Sequence, residues 1–239
     1  MEFIAHRGLS GAAPENTAAA FNEAASLGFR NVELDVLFTA DDVPVVCHDD
    51  DLNRFGHQVL VSQQPWTTLQ TLDMGSWYGP SFHGERLLTL DAALDQLSRQ
   101  FDCINIELKP ELNGHLTGPR SLRLTEQLAR ARAQGLALLM SSFDPRLVSW
   151  CQQHCPELPR AVLVEGPLTR AHEQLADLTG ASAVHLDNDY LKAEDISRIK
   201  AQGLTARAYT VNEPARARAL KQWGCDGIFT DILSPGSAP

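Results

Sequence analysis

Residues 1–21 read MEFIAHRGLSGAAPENTAAAF, and the fold follows from how this stretch changes character. The apolar run Phe3-Ile4-Ala5 stops at His6-Arg7-Gly8, and an irregular passage with Gly11 and Pro14 follows. Asn16 or Thr17 then offers a cap to a helix running to about Leu27, where Gly28 ends it. The order is strand, loop, helix, with an imidazole and a guanidinium set where the strand stops. The same arrangement recurs. Residues 31–37 alternate as a strand, so Glu33 and Asp35 share one face and Leu34 takes the other. Residues 43–48 read as a return strand closing a hairpin over Ala40-Asp41-Asp42, with His48 at its end. Residues 103–109 form a further strand that delivers Glu107 and Lys109. Several strands bringing polar residues to one end is how a barrel enzyme gathers a site.

The remainder predicts the scaffold. Thr89 caps a helix over 90–97. Helices over 121–134, from Asp144-Pro145 onward, 169–178, 193–202 and 214–223 alternate with strands over 136–142, 161–165, 183–187, 205–211 and 227–230. Glycines at 135, 180, 203 and 224 close four of these helices or follow them. Strands alternating with helices through short connections imply a parallel sheet with helical cover. Eight such units favour a closed barrel over an open sheet, and the first loop lacks the Gly-x-Gly-x-x-Gly of a dinucleotide fold. The expectation is one α/β domain over 1–239. Residues 50–88 break the rhythm with Gly56, Pro65, Gly75, Gly79, Pro80 and Gly84 among Trp66, Trp77, Tyr78 and Phe82. That is too long for a bare loop. It predicts a small irregular insertion packed over one mouth of the barrel. Residues 235–239 read as a loose tail.

Composition narrows the function classes. Of 239 residues, 44% are hydrophobic and 21% charged, enough for a sizeable core, and the net charge is -10. An acidic chain is a poor non-specific partner for nucleic acid or anionic lipid, yet it tolerates a small anionic substrate in a locally cationic pocket. The five cysteines are odd in number and scattered, which is no disulfide framework. Cys151-x-x-His154-Cys155 hints at a metal, but one helix carrying buried thiols is the plainer reading. No apolar run reaches the ~20 residues of a membrane span. The N-terminus enters strand pattern directly, without a secretory signature. The chain therefore reads as cytoplasmic, without stable membrane association; the sequence leaves a homodimer open.

Three carboxylates in one mouth, Glu33, Asp35 and Glu107, would repel one another and raise their pKa values. One divalent cation resolves that, and an all-oxygen set suits Mg²⁺ or Ca²⁺ rather than Zn²⁺. The plain alternative is that Glu33 and Asp35 are solvent-facing strand residues. His6 and His48 are candidates for general acid and base, since neutral pH lies near the natural imidazole pKa. The other histidines, His57, His83, His115, His154, His172 and His185, read as surface or satisfied core. Arg7 and Lys109 pair with acidic neighbours such as Glu33 or Asp49, or else clamp an anion. A phosphodiester is such an anion, because its charge repels nucleophiles until it is offset.

The order His6-Arg7-Gly8, Pro14-Glu15-Asn16-Thr17, Glu33-Leu34-Asp35-Val36, Val45-Val46-x-His48-Asp49, Glu107-x-Lys109, Ser142-Phe143, Thr210-Val211-Asn212 and Asp226-Gly227-x-x-Thr230-Asp231 resembles the glycerophosphodiester phosphodiesterase family, in its short cytosolic bacterial form. The resemblance runs from residue 3 to about 231. It implies a TIM barrel with an insertion after the second strand and one divalent cation on Glu33, Asp35 and Glu107. It also implies His6 and His48 as acid and base, and Arg7 and Lys109 on the phosphate. Phe143 and Tyr209 would be substrate contacts, and the substrate a small glycerophosphodiester giving sn-glycerol 3-phosphate and an alcohol. The family's usual Trp before Thr-Val-Asn is Tyr209 here, which bears on substrate preference. The usual Pro soon after Asp231 is absent. Two other readings stand beside this one. The first is a phospholipase D-like barrel acting on lysophospholipid or sphingolipid head groups. The second is a non-catalytic barrel sensing a phosphorylated metabolite.

Overall fold

The structure is a computed structural model that describes residues 1–110, 116 and 118–237; His115 lies outside the described residues. Eight parallel strands close a barrel: β1 (Glu2–Ala5), β2 (Asn31–Phe38), β5 (Cys103–Leu108), β6 (Ala137–Ser142), β7 (Arg160–Val164), β8 (Ala183–Asp187), β9 (Thr205–Tyr209) and β10 (Gly227–Thr230). Each pairs with the next, and β1 pairs with both β10 and β2, which leaves the barrel no free edge. Between β2 and β5, two short strands, β3 (Pro44–Val46) and β4 (Leu88–Thr89), extend β2 as an antiparallel ribbon. The expected return strand is thus shorter than its apolar run. Two-residue β4 is too short to show a period of its own, and alternation does not predict it.

Helices cover the outside: α1 (Ala18–Ser26), the one-turn α2 (Trp66–Leu69), α3 (Leu90–Leu97), α4 (Gly118–Ala133), α5 (Pro145–His154), α6 (Arg170–Leu178), α7 (Ala193–Ala201) and α8 (Pro214–Gln222). Their starts follow local chemistry. The side chains of Thr17, Thr89 and Asp144 accept the backbone N–H of Ala20, Ala92 and Arg146. Alternation explains the core. Outward residues of β2 and β5, such as Val32, Leu34, Ile104 and Ile106, bury against Phe21, Leu94, Leu97 and Leu124 of α1, α3 and α4. Val184, Leu186, Ala206 and Ile228 do the same against Ile196, Ile199 and Leu220 of α7 and α8. Each fully buried Leu, Ile or Phe stabilises the fold by about 1.5–3 kcal/mol. Inside the barrel the apolar cluster is small; among the described residues it comprises Leu139, Ala161 and Ala183.

The insertion is more ordered than its composition suggested. Leu52, Phe55, Val61, Leu69, Met74 and Leu87 form a core of their own with Leu37 and Val45 of the ribbon. Cys151 and Cys155 are buried free thiols at the end of α5.

Candidate active site

The site begins at the exit of β1. Arg7 and Gly8 both have positive φ, 56° and 76°, so the chain turns sharply as the strand ends. A Cβ on Gly8 would lie 2.6 Å from the Ala20 carbonyl carbon, so only glycine lets α1 approach this closely. The turn aims the Arg7 N–H at Glu33 Oε2 (2.9 Å) and its guanidinium at Glu15 (3.0 Å) and Asp35 (3.2 Å). Asn16, also at positive φ, does not cap the helix. Its amide donates to Asp35 Oδ2 at 2.9 Å.

Register gathers the acids. β2 and β5 run parallel with Asp35 opposite Glu107 and Glu33 opposite Asn105, all facing the barrel interior. Oxygens of Glu33, Asp35 and Glu107 lie within 4.8 Å of one another, and all three residues are buried. Lys109 bridges two of them, with Nζ 2.5 Å from Glu107 and 3.0 Å from Asp35. The side chains of Arg7 and Lys109 therefore pair with Glu15, Asp35 and Glu107. Asp49, the other acid that the sequence offered them, serves His48 instead.

Charge accounting shows what the cluster lacks. Even before Glu15, which also draws on Arg7, is counted, three carboxylates against the two cations Arg7 and Lys109 leave an excess of negative charge. It falls on Glu33, whose Oε1 is buried with no hydrogen-bond partner among the described residues. Burial first, then Asp35 and Glu107, push the Glu33 carboxyl well above its ordinary range, and burial also raises Glu107. Burial would raise Asp35 too, but Lys109, Arg7 and His48 outweigh it and hold this carboxyl low. Lys109 is held cationic in turn, because Asp35 and Glu107 outweigh its burial. An all-carboxylate set with an orphaned buried oxygen fits a hard divalent cation.

Each imidazole has a carboxylate behind it. His6 Nδ1 lies 2.8 Å from Asp231 Oδ1, and His48 Nδ1 lies 2.6 Å from Asp49 Oδ1. Nε2 is thus the ring nitrogen left for chemistry in both. Asp231 also accepts from Ser10 (2.7 Å) and from the amide of Asn212 (2.7 Å). Burial raises its carboxyl, but His6, Asn212 and Ser10 outweigh that and hold it low. Arg54 of the insertion anchors Asp49 (2.6 Å) and reaches Glu15. Burial holds His48 below its ordinary pKa.

His6, Arg7, Glu33, His48, Glu107, Lys109, Phe143 and Tyr209 line one cavity of about 230 Å³, with Asn105, Leu163, His185, Thr210 and Phe229; Asp35 joins through the acidic cluster. Tyr209 donates its hydroxyl to the Val164 carbonyl (2.6 Å) and packs edge-on against Phe143. Sequence reasoning assigned no site role to Asp231 or Asn105 and read Asn16 as a helix cap. Strand parity would have found Asn105, two residues before Glu107, and position would have found Asp231, the first residue beyond β10. His185 corrects an expectation. It is core, fully buried, but neither ring nitrogen has a partner among the described residues, so it is not a satisfied histidine. His83 is exposed, His57 Nε2 donates to the Asp73 carbonyl, and His172 helps cap α6.

A closed α/β barrel with this cavity at its strand exits has the site placement of a barrel enzyme. The chain belongs to the glycerophosphoryl diester phosphodiesterase family, whose model matches residues 6–234. It is 37% identical to YhdW of Bacillus subtilis, a putative glycerophosphodiester phosphodiesterase, over 97% of this chain and 94% of that protein. It is 30% identical to a glycerophosphodiester phosphodiesterase of the same organism, over 95% of this chain and 82% of that one. Among solved structures, an Oleispira antarctica phosphodiesterase in complex with the product sn-glycerol-3-phosphate superposes with a TM-score of 0.91. It shares 33% identity, with 97% of this chain and 93% of that chain covered. No helix among the described residues is long and apolar enough to cross a membrane.

Proposed function

We propose that this chain hydrolyses small glycerophosphodiesters to sn-glycerol 3-phosphate and an alcohol, with residues 1–239 acting as one catalytic domain. The observation that carries this reading is the convergence of three buried carboxylates and two carboxylate-backed imidazoles on a single cavity. The product named for the Oleispira antarctica structure supports the substrate class. The net charge of -10 fits a water-borne substrate better than an anionic lipid surface.

Glu33, Asp35 and Glu107 would hold one divalent cation, Mg²⁺ or Ca²⁺. Bound there, it supplies Lewis-acid polarisation of the phosphoryl oxygens. Arg7 and Lys109 add fixed positive charge beside the phosphoryl group. His48, whose pKa burial lowers, takes the proton of the attacking glycerol 2-hydroxyl. His6, oriented by Asp231, donates a proton to the leaving alkoxide. The cyclic phosphate that results is opened by water with the two imidazoles exchanging roles. Phe143 and Tyr209 wall the organic part of the substrate.

A coupled assay for glycerol 3-phosphate release from glycerophosphocholine, with and without added Mg²⁺ or Ca²⁺, tests the proposal. Metal-dependent release supports it. Choline release with a cyclic phosphate as the final product points to the phospholipase D-like reading, and no turnover points to a sensor.

A further inference from the structure

Deeper in the cavity than Glu107 and Tyr209 lie two polar side chains, His185 and Asn105, that the proposed reaction does not use. His185 faces inward from β8, opposite Arg207 of β9, while the next inward pair up the barrel is Asp187 and Tyr209. Asn105 likewise sits two residues before Glu107 on β5. Asn105 therefore lies one inward layer below Glu107 and level with Glu33, and His185 lies one inward layer, roughly 6–7 Å along the strand, below Tyr209. His185 is wholly buried against Phe229, ring centroids 4.8 Å apart, and neither Nδ1 nor Nε2 has a partner among the described residues. Burial keeps this imidazole well below its ordinary pKa, so it presents one N–H donor and one acceptor and no charge. One end of the Asn105 amide is held by Ser141 at 3.0 Å, and the other is unpartnered among the described residues.

We infer that His185, assisted by Asn105, reads the terminal hydroxyl of the substrate's glycerol arm and so sets the specificity for glycerol. The inference rests on the phosphodiesterase reading above. A hydroxyl both donates and accepts, which is the complement of a neutral imidazole. The glycerol 2-hydroxyl must stay near phosphorus to attack it. The terminal hydroxyl is farther along the arm and reaches the layer below. A cavity of about 230 Å³ walled by Leu163 and Phe229 has room for a three-carbon polyol. A cationic head group gains nothing from an uncharged floor, so it belongs at the open end.

The test compares glycerophosphocholine with 2-hydroxypropyl phosphocholine, which keeps the attacking hydroxyl and lacks the terminal one. The wild-type enzyme with Mg²⁺ should favour the former by at least about 10²-fold in kcat/KM, since a site built for a hydroxyl rejects the analogue without it. His185→Leu should bring the two within about fivefold while turnover of the deoxy substrate persists, and His185→Gln should retain part of the preference. Undiminished preference in His185→Leu, or equal loss on both substrates with a native melting profile, overturns the inference. A second measurement needs no variant. The ring ¹⁵N signals of His185 should shift when sn-glycerol 3-phosphate binds and stay put with inorganic phosphate; no difference between the two overturns it as well. A wild-type enzyme active on both substrates without preference defeats this inference alone. One inactive on both defeats the phosphodiesterase reading and the inference with it.

Discussion

The cavity has two unlike walls. Strands β1, β2 and β5 and their exits supply His6, Arg7, Glu33, Asp35, Glu107 and Lys109, and the residues just beyond the ribbon add His48. Strands β7 to β10 and the loop after β6 supply Phe143, Leu163, His185, Tyr209 and Phe229, none of them a carboxylate or fixed cation. Phosphoryl chemistry needs charge, while an uncharged organic arm needs shape and matched hydrogen bonds. Placing both on one cavity has a further effect. The neutral wall lowers the dielectric beside the charged one, and electrostatic interactions strengthen where the dielectric is lower.

The contrast predicts a hierarchy of effects. The largest belongs to the charged wall. Chelation should reduce turnover by about 10³-fold or more, and added Mg²⁺ or Ca²⁺ should restore it, since metal polarisation supplies several kcal/mol. Full activity in excess chelator would dissolve the distinction between the walls. Next come the imidazoles. His6→Ala and His48→Ala should each lower kcat at least about 10²-fold with thermal stability near wild type. Asp231→Asn, which removes only the carboxylate behind His6, should cost at least about tenfold. Steady-state kinetics beside a melting curve separates these outcomes from unfolding.

The neutral wall should register in stability as well as in substrate preference. The folded pKa of His185 is depressed by burial, and by Arg207 to a lesser degree, so the fold disfavours its protonated form. Above the ordinary imidazole pKa of about 6.5 both states are neutral and this stability is fully present. As pH falls below that value the unfolded chain takes up a proton the fold refuses. His185 should then contribute a loss of about 1.4 kcal/mol per pH unit until its folded pKa is reached. Denaturant titrations across pH 5–7 should show a shallower slope in His185→Leu; an unchanged slope would remove His185 as its source. The smallest effect is expected at the rim. Tyr209→Trp should alter KM or head-group preference by a few-fold and leave the chemical step nearly unchanged. Identical kinetics across several head groups would show that this wall does not touch the substrate.

What could be read directly was the repeating order of elements. Eight strand–helix units imply a barrel because each parallel strand needs a crossover helix, and period-two alternation then sends Glu33, Asp35 and Glu107 inward. His6 and His48 were legible because each ends an apolar run beside other chemistry. Partners distant in sequence were not. Asp231 lies 225 residues from His6 and meets it only because β10 closes against β1. The insertion looked irregular because its core is shared with Leu37 and Val45, which belong to another part of the chain. His185 looked like any buried histidine, since satisfaction of a polar side chain depends on which strands face it across the barrel. Local propensity and alternation, set by backbone geometry and burial, are properties of the sequence by itself. Register, closure and the pairing of buried polar atoms arise from contacts between distant strands, so the tertiary structure alone decided them.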